Sequence, residues 1–310
     1  MHSIAIIGSG ICGLTIASAL RDTRAEITIY DKGRRPGGRA ASRTIEGCVF
    51  DHGAPAIPNE VAKHFVADTK RTKEQWLLNK KTAHCPIGGI SNFSRDLADD
   101  LRVLQSATVL NSERNEKGLA LKLKSGASIE NIDTLILTPP AIQSAELIQR
   151  IEPTLCEEIL ENSRMSPAWV VLFKAANNLD FEDYTANATG AIANIRCERT
   201  KPGREESSSS SWYTAECSLE WSKKNLEKSP DWVSSEVLNI LRAELETTFS
   251  ADHCMAHRWR YASTEVPIGS DYLVNDDRDV WIAGDWCRGN GIESAHTSGL
   301  SVAQKLKSKL

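Results

Sequence analysis

The chain has 310 residues, enough for two domains or one large α/β domain, with 37 Lys+Arg against 41 Asp+Glu and a formal net charge of −4. Near balance argues against a nucleic-acid footprint, which needs clustered positive charge, and 41% hydrophobic with 25% charged residues excludes the disordered and collagen-like classes. The longest apolar runs, such as Trp169-Val170-Val171-Leu172-Phe173, are strand length and far short of the ~18 residues of a membrane span.

In chain order, residues 3–7 are a continuous β-branched-rich run, the pattern of a parallel strand buried on both faces. That run meets Gly8 without the charged and longer apolar regions of a secretory signal, so a cytoplasmic protein is expected. The spacing of Leu14, Ala17 and Leu20 predicts a helix over residues 11–22, and residues 27–30 read as a second strand, giving a βαβ start. Residues 33–58 are rich in Gly, Pro and Arg and read as loop, with a short strand at 47–51. Phe93, Leu97 and Leu101 predict a helix over 91–101. Residues 119–124 alternate and pair across Ser125-Gly126-Ala127 as a hairpin, and residues 135–138 add a strand to the first sheet, stopped by Pro139-Pro140.

The middle differs in character. Residues 168–174, 191–197 and 212–217 read as strands of an antiparallel sheet, with Glu205-Glu206 and residues 207–211 as a solvated loop tip. Ser229 as N-cap, Pro230 at the first helical position and Val233, Val237, Leu241 and Leu245 predict a helix packed on that sheet. Residues 280–283 form a strand feeding Gly284-Asp285, and a last helix runs from residue 294. Eight cysteines (Cys12, Cys48, Cys85, Cys156, Cys197, Cys217, Cys254, Cys287) stand singly with no metal-ligand spacing, and are expected as reduced, mostly buried thiols.

Gly8-x-Gly10-x-x-Gly13 lies between a predicted strand and helix, the context in which the pattern carries meaning. Gly8 permits the turn, Gly10 lets a pyrophosphate approach the backbone, and Gly13 allows the helix to pack close on the strand. Asp31 closes the second strand at the position of a carboxylate that takes the adenosine ribose hydroxyls, and disfavours a 2′-phosphate. Lys32-Gly33-Arg34-Arg35-Pro36-Gly37-Gly38-Arg39 adds a second phosphate-contacting loop, with Arg39 as a bidentate donor and Arg34 and Arg35 as surface charge; this suits an extended FAD better than NAD. In residues 284–295, Asp285 is placed to hold ribityl hydroxyls, and amides at Gly291 and Ile292 open a helix whose positive end stabilises charge on a reduced flavin.

With these motifs the sequence resembles the FAD-dependent amine-oxidase superfamily and, within it, the renalase family, over most of the chain. The resemblance rests also on Phe50-Asp51-His52-Gly53-Ala54, Gly88-Gly89-Ile90, Leu137-Thr138-Pro139-Pro140 with Gln143, Trp221-Ser222, His257-Arg258-Trp259-Arg260-Tyr261-Ala262, and Ile292-Glu293-x-Ala295-x-x-Ser298-Gly299. The His257 stretch and Trp221-Ser222 are the renalase-like parts; Pro55-Ala56-Ile57 depart from the family, which places Gln and two aromatics there. The resemblance implies a Rossmann-like α/β FAD-binding domain of glutathione-reductase type over 1–58, 85–143 and 268–310. An interrupted α+β substrate domain with an antiparallel sheet takes 59–84 and 144–267, and the active site lies between them. It implies cofactor contacts from Gly8, Gly10, Ile11, Cys12, Gly13, Asp31, Lys32, Gly38, Arg39, Val109, Thr138, Gly284, Asp285, Gly291 and Ile292.

The implied reaction oxidises unusual dihydro isomers of NAD(P)H through FAD and passes electrons to oxygen, releasing hydrogen peroxide, with no metal, nucleic acid or membrane partner. Hydride transfer of this kind gains its rate from positioning rather than from a protein acid or base. His257, Trp259 and Tyr261 are the candidate catalytic residues: on a strand they share one face, opposite Arg258 and Arg260, and either roof the flavin or form a core face under the 230–249 helix. His52 and His296 are weaker candidates, His296 read as facing solvent, and Cys287 is weighed for a redox role. Two rival readings stand beside this one: a flavin oxidase of small amines, and a flavin-binding sensor without turnover.

Overall fold

The apolar run at the N-terminus forms the strand Ser3–Ile7, paired in parallel with Glu26–Tyr30 on one side and Thr134–Leu137 on the other, so both faces are covered as its composition requires. It is seen in a computed structural model that describes residues 1–65, 73–78, 81–176, 179, 183–185, 190–204 and 211–310. The sheet runs in the order Tyr272–Val274, Val280–Ala283, Thr134–Leu137, Ser3–Ile7, Glu26–Tyr30, Val103–Leu104; its pairs are parallel except the antiparallel edge strand Tyr272–Val274. Helix Ile11–Leu20 follows the first strand, and Gly299 of the last helix, Gly291–Lys307, lies against it so closely that a Cβ there would stand 2.8 Å from the Cys12 carbonyl oxygen. The expected hairpin is present as Gly118–Leu123 with Ser128–Ile132, and Val109–Asn115 adds a third antiparallel strand.

The chain divides into two compact units: Met1–Ala40, Phe93–Met165 and Thr264–Leu310 form the first, Ala41–Asn92 and Ser166–Ser263 the second. These compact units differ from the expected boundaries at residues 41–58, 85–92, 144–165 and 264–267. Residues 41–58 and 85–92 belong to the second unit. There Phe50 packs with Val170, Leu172 and Trp212, the strand Lys81–Pro86 pairs with Ile57–Pro58, and the Ile90 amide donates to Asp51. Residues 144–165 belong to the first, because Ala145, Leu147, Ile148, Cys156 and Ile159 bury themselves in its core beside Leu135, Leu137 and Ile282.

The second unit carries a five-stranded antiparallel sheet in the order Asp183–Thr185, Ile192–Cys197, Ser211–Cys217, Arg164–Ala175, Ala251–Val266. Helix Pro230–Glu244 starts where Ser229 caps the Trp232 amide. It sets Val233, Val237 and Leu241 on Trp169, Val171, Phe173 and Tyr213 of that sheet, as its spacing predicts. Residues 33–58, expected mostly as loop, contain the hairpin Ser42–Ile45 with Cys48–Asp51; Glu46 (φ 47°) and Gly47 (φ 83°) turn it through the left-handed conformations that a two-residue hairpin demands. Residues 205–210 of the expected loop tip lie outside the described residues, and Ser211 belongs to a strand. Among the described residues no helix is long and apolar enough to cross a membrane.

Candidate functional site

In the first unit Gly8 and Gly13 of the opening motif are required by contact. A Cβ on Gly13 would lie 2.1 Å from the Gly8 carbonyl oxygen, and one on Gly8, which sits at φ +101°, 2.6 Å from Thr138 Oγ1. Thr138 Oγ1 is held by the Ile7 and Gly8 carbonyls at 2.9 and 3.1 Å, so it buttresses the turn. The second glycine loop docks on the first: the Gly37 amide donates to the Ser9 carbonyl at 2.8 Å, Gly10 and Gly37 form a parallel bridge, and Gly38 rests against Gly10. At Gly10 itself a Cβ would meet nothing within 4 Å. That open ground lies before helix Ile11–Leu20, which has no side-chain cap and no acid in its first turn. Uncapped amides and the positive end of a helix dipole beside an open backbone fit a diphosphate.

Asp31 accepts from the Ser9 amide (2.5 Å), Ser9 Oγ (2.8 Å) and the Gly33 amide (2.6 Å), which fixes its carboxylate beside the glycine turn. Lys32 reaches Gln143 Oε1 at 3.1 Å, and Val109 opens its strand opposite Leu123, partly buried against the first unit's core. Arg39 and Asp285, expected to contact the cofactor, are paired with each other: Arg39 donates bidentately to Asp285, at 2.9 and 2.5 Å. A carboxylate as buried as that of Asp285 is best satisfied by the planar fork of an arginine. The pair has a structural consequence, because it ties the Gly37-Gly38 loop to the 284–292 segment.

That segment is itself defined by contact. Gly284 cannot carry a Cβ, which would meet Trp286 Nε1 at 2.7 Å, and its amide donates to Ser298 Oγ at 3.0 Å. Gly291, at φ +81° with open space around it, begins the last helix three residues before the expected start, and Asn290 supplies no side-chain cap. Burial pushes the Cys12 thiol up to about 12, with Ser298 pulling the other way, and burial together with Cys12 and Asp285 raises Cys287 as well. Both thiols are therefore protonated and inert at neutral pH. His296, expected at the surface, is buried.

In the second unit, His257 and Trp259 lie on the strand Ala251–Val266 and meet His52, which follows the strand Cys48–Asp51. The His257 and Trp259 rings are 4.4 Å apart edge to face, His52 stacks on Trp259 at 5.5 Å and meets His257 at 4.7 Å, and Trp259 Nε1 donates to the His52 carbonyl at 2.8 Å. Tyr261 shares the strand face by alternation but, among the described residues, makes no ring contact with this cluster. The reading of this face as packed under the Pro230–Glu244 helix is overturned: the even-numbered Ala256 and Cys254 pack there, and Arg258 lies over Trp169.

Burial holds the His52 imidazole down at about 4, aided by the charges of His257 and Arg43, and burial with Arg43 does the same for His257. Both rings are neutral at pH 7. An unfolded chain would bind protons at these histidines near pH 6.5, so their contribution to stability is complete above that pH and is lost as pH falls toward 4. The urea midpoint is expected to drop between pH 7 and pH 4.5, and to drop less in His52→Gln; an equal drop in that variant would remove the assignment.

Residues 6–69 match the NAD(P)-binding Rossmann-like domain family. A carotenoid 3,4-desaturase of Haloarcula japonica is 27% identical over 88 residues, which is 28% of this chain and 18% of that protein's length. A protein from Exiguobacterium sp. 255-15 assigned as a protoporphyrinogen oxidase has a similar structure, with TM-score 0.80, 13% identity, and coverage of 100% of this chain and 99% of the other. A double mutant of putrescine oxidase, from a redesign of cofactor binding, gives TM-score 0.73 and 12% identity, with 99% of each chain covered. The chain therefore has the fold of these oxidases, a Rossmann-like α/β domain joined to an antiparallel sheet.

Proposed function

We propose that the chain is an FAD-dependent oxidase of the amine-oxidase superfamily that takes a hydride from unusual dihydro isomers of NAD(P)H and passes the electrons to oxygen. Dihydropyridine, oxygen and a proton become the aromatic nucleotide and hydrogen peroxide. Residues 8–13, Gly37-Gly38 and 284–292 would hold the diphosphate and flavin portions of FAD, and Asp31 the adenosine ribose. When bound, FAD supplies the acceptor for the hydride.

The observation that carries the choice of substrate is the ring cluster of His52, His257 and Trp259, in which burial and the Arg43 charge hold both imidazoles neutral. Neutral rings and an indole present hydrogen-bonding and apolar faces to a dihydronicotinamide carboxamide and ring. A nearby guanidinium repels an alkylammonium and attracts a phosphate-bearing dinucleotide. No proton need be taken from the donor carbon, so His52, His257 and Trp259 act by binding and orienting, and we assign Tyr261 to the margin of the same surface.

Anaerobic mixing of the FAD-loaded protein with isomeric dihydro-NAD, and separately with putrescine and benzylamine, tests this directly. Flavin bleaching by the dihydro isomers, with stoichiometric NAD formed, is the expected result. Bleaching by the amines alone would replace this reading with an amine oxidase. Less than one equivalent of peroxide per flavin in air would leave a sensor.

A further inference from the structure

Behind the His52 cluster the second unit buries four charged side chains. Asp51 and Lys201 are each 1% exposed, Glu198 is 2% exposed and Arg204 is 9% exposed. Two acids and two bases alternate around a closed ring. Lys201 Nζ reaches Asp51 Oδ2 at 3.0 Å and Glu198 Oε2 at 2.9 Å, while Arg204 reaches Asp51 Oδ2 at 2.6 Å and also contacts Glu198. The remaining acceptors are taken up: Ser42 Oγ (2.7 Å) and the Ile90 amide (2.9 Å) donate to Asp51, Thr214 Oγ1 (2.7 Å) donates to Glu198, and Arg204 also donates to the Val49 carbonyl at 3.1 Å.

Such a ring is a poor device for stability alone. Desolvating four charges consumes most of what their attraction returns, and a well-packed apolar replacement of equal volume often serves as well. Its directional bonds do fix geometry, and the geometry fixed here is specific. Asp51 is bonded directly to His52 in the chain, and it is tied to Glu198 and Lys201 on the short helix and turn after Ile192–Cys197, and through Thr214 to Ser211–Cys217. The His52 carbonyl is in turn the acceptor for Trp259 Nε1. One side of residue 52 is thus set by the ionic ring and the other by the indole.

We propose that the Asp51–Lys201–Glu198–Arg204 ring positions His52 against Trp259 and His257, making Asp51 and Glu198 positioning residues of the substrate surface. This rests on the function proposed above only in naming that surface as the one that takes substrate. The ring also explains why the motif at residues 50–54 carries an acid directly before the histidine, a place where no substrate contact is needed.

The test pairs Asp51→Asn with Lys201→Met, which removes one anion and one cation and keeps the Glu198–Arg204 pair. Imidazole NMR of the FAD-loaded chain follows His52 and His257, whose titratable and charged neighbours are Arg43 for both, and His257 and Asp51 for His52. In the double variant both ring signals shift and the His52 titration midpoint rises toward its ordinary value as the imidazole loses its burial. Loss of the Asp51 charge alone, with the imidazole still in place, would lower it and would count against the proposal. FAD affinity stays unchanged, and kcat for the dihydro isomer falls at least tenfold with a smaller change in KM. Unaltered ring signals and midpoints would overturn the proposal and leave the ring a purely structural element. If the double variant does not fold, Thr214→Val removes only the hydroxyl donor to Glu198 and keeps all four charges; a smaller shift of His52 in the same direction is expected, and no shift overturns the proposal. The NMR arm needs no turnover, so a chain that oxidises no dihydronicotinamide fails the functional reading without deciding this one.

Discussion

Gly13→Ala is expected to yield a chain that carries no flavin and melts well below the unaltered protein. The added methyl would lie 2.1 Å from the Gly8 carbonyl oxygen, 3.3 Å from its carbon and 3.0 Å from Thr138 Oγ1. None of these is the free end of a flexible side chain: two are backbone, and Thr138 is pinned by the carbonyls of Ile7 and Gly8. The turn must open, at a cost of at least about 1–3 kcal/mol for overpacking, and with it goes the alignment of helix Ile11–Leu20 to the diphosphate. Gly10→Ala separates the two effects. Gly10 has φ −72° and open space around its Cβ position, so the cofactor-free protein should melt as before while FAD binding weakens at least tenfold, since the methyl occupies ground the diphosphate needs. Calorimetry and the FAD dissociation constant read the pair; Gly13→Ala binding FAD normally would contradict the assignment of the turn.

Lys201→Met alone is the second large effect. It leaves two buried carboxylates facing one guanidinium, and breaking a buried pair in this way costs about 3–5 kcal/mol. Burial by itself would raise the Asp51 carboxyl; Lys201 and Arg204, with the Ile90 amide and Ser42, more than offset that and hold it at about 2. The unfolded carboxyl titrates near 3.8, so the stabilisation from Asp51 is complete above that value and is lost as pH falls toward 2. Without Lys201 the loss begins at higher pH. Urea titrations from pH 7 to pH 3 should show a lower midpoint throughout and a steeper acid limb, and restoring charge balance with Asp51→Asn should recover part of the deficit. Equal midpoints for Lys201→Met and the unaltered chain would show that the ring carries no such coupling.

The two kinds of site differ in how visibly they are written in the sequence. The cofactor cradle is local in sequence: Gly8, Gly10 and Gly13 follow an apolar strand and open a helix, and Gly13 is dictated by the Gly8 carbonyl five residues away, although Gly8 is crowded by the distant Thr138 and Gly10 stands before open space. Helix Pro230–Glu244 is legible for the same reason, because Ser229, Pro230 and its apolar stripe lie on one element. The ionic ring is not local. Asp51 and Lys201 are 150 positions apart, and Lys201 and Arg204 stand in a turn with Pro202 and Gly203, where a lysine and an arginine read as surface charge. No period marks a buried lysine. The hairpin of residues 42–51 hides for a related reason, since its outer strand Ser42–Ile45 is only half buried and lacks a continuous apolar run. Asp285 shows the limit from the other side: its place in the cradle follows from Gly284-Asp285 after a strand, but its bond to Arg39, 246 positions away, needs the fold.

The claim on which the functional reading stands is that residues 8–13, Gly37-Gly38 and residues 284–292 together hold one FAD. The visible absorption spectrum of the purified chain tests it most directly, followed by release of the chromophore on denaturation. Flavin bands, with FAD recovered in stoichiometric amount, are the predicted result. A chain that is colourless as purified, and remains so after incubation with excess FAD and removal of the unbound cofactor, would contradict it.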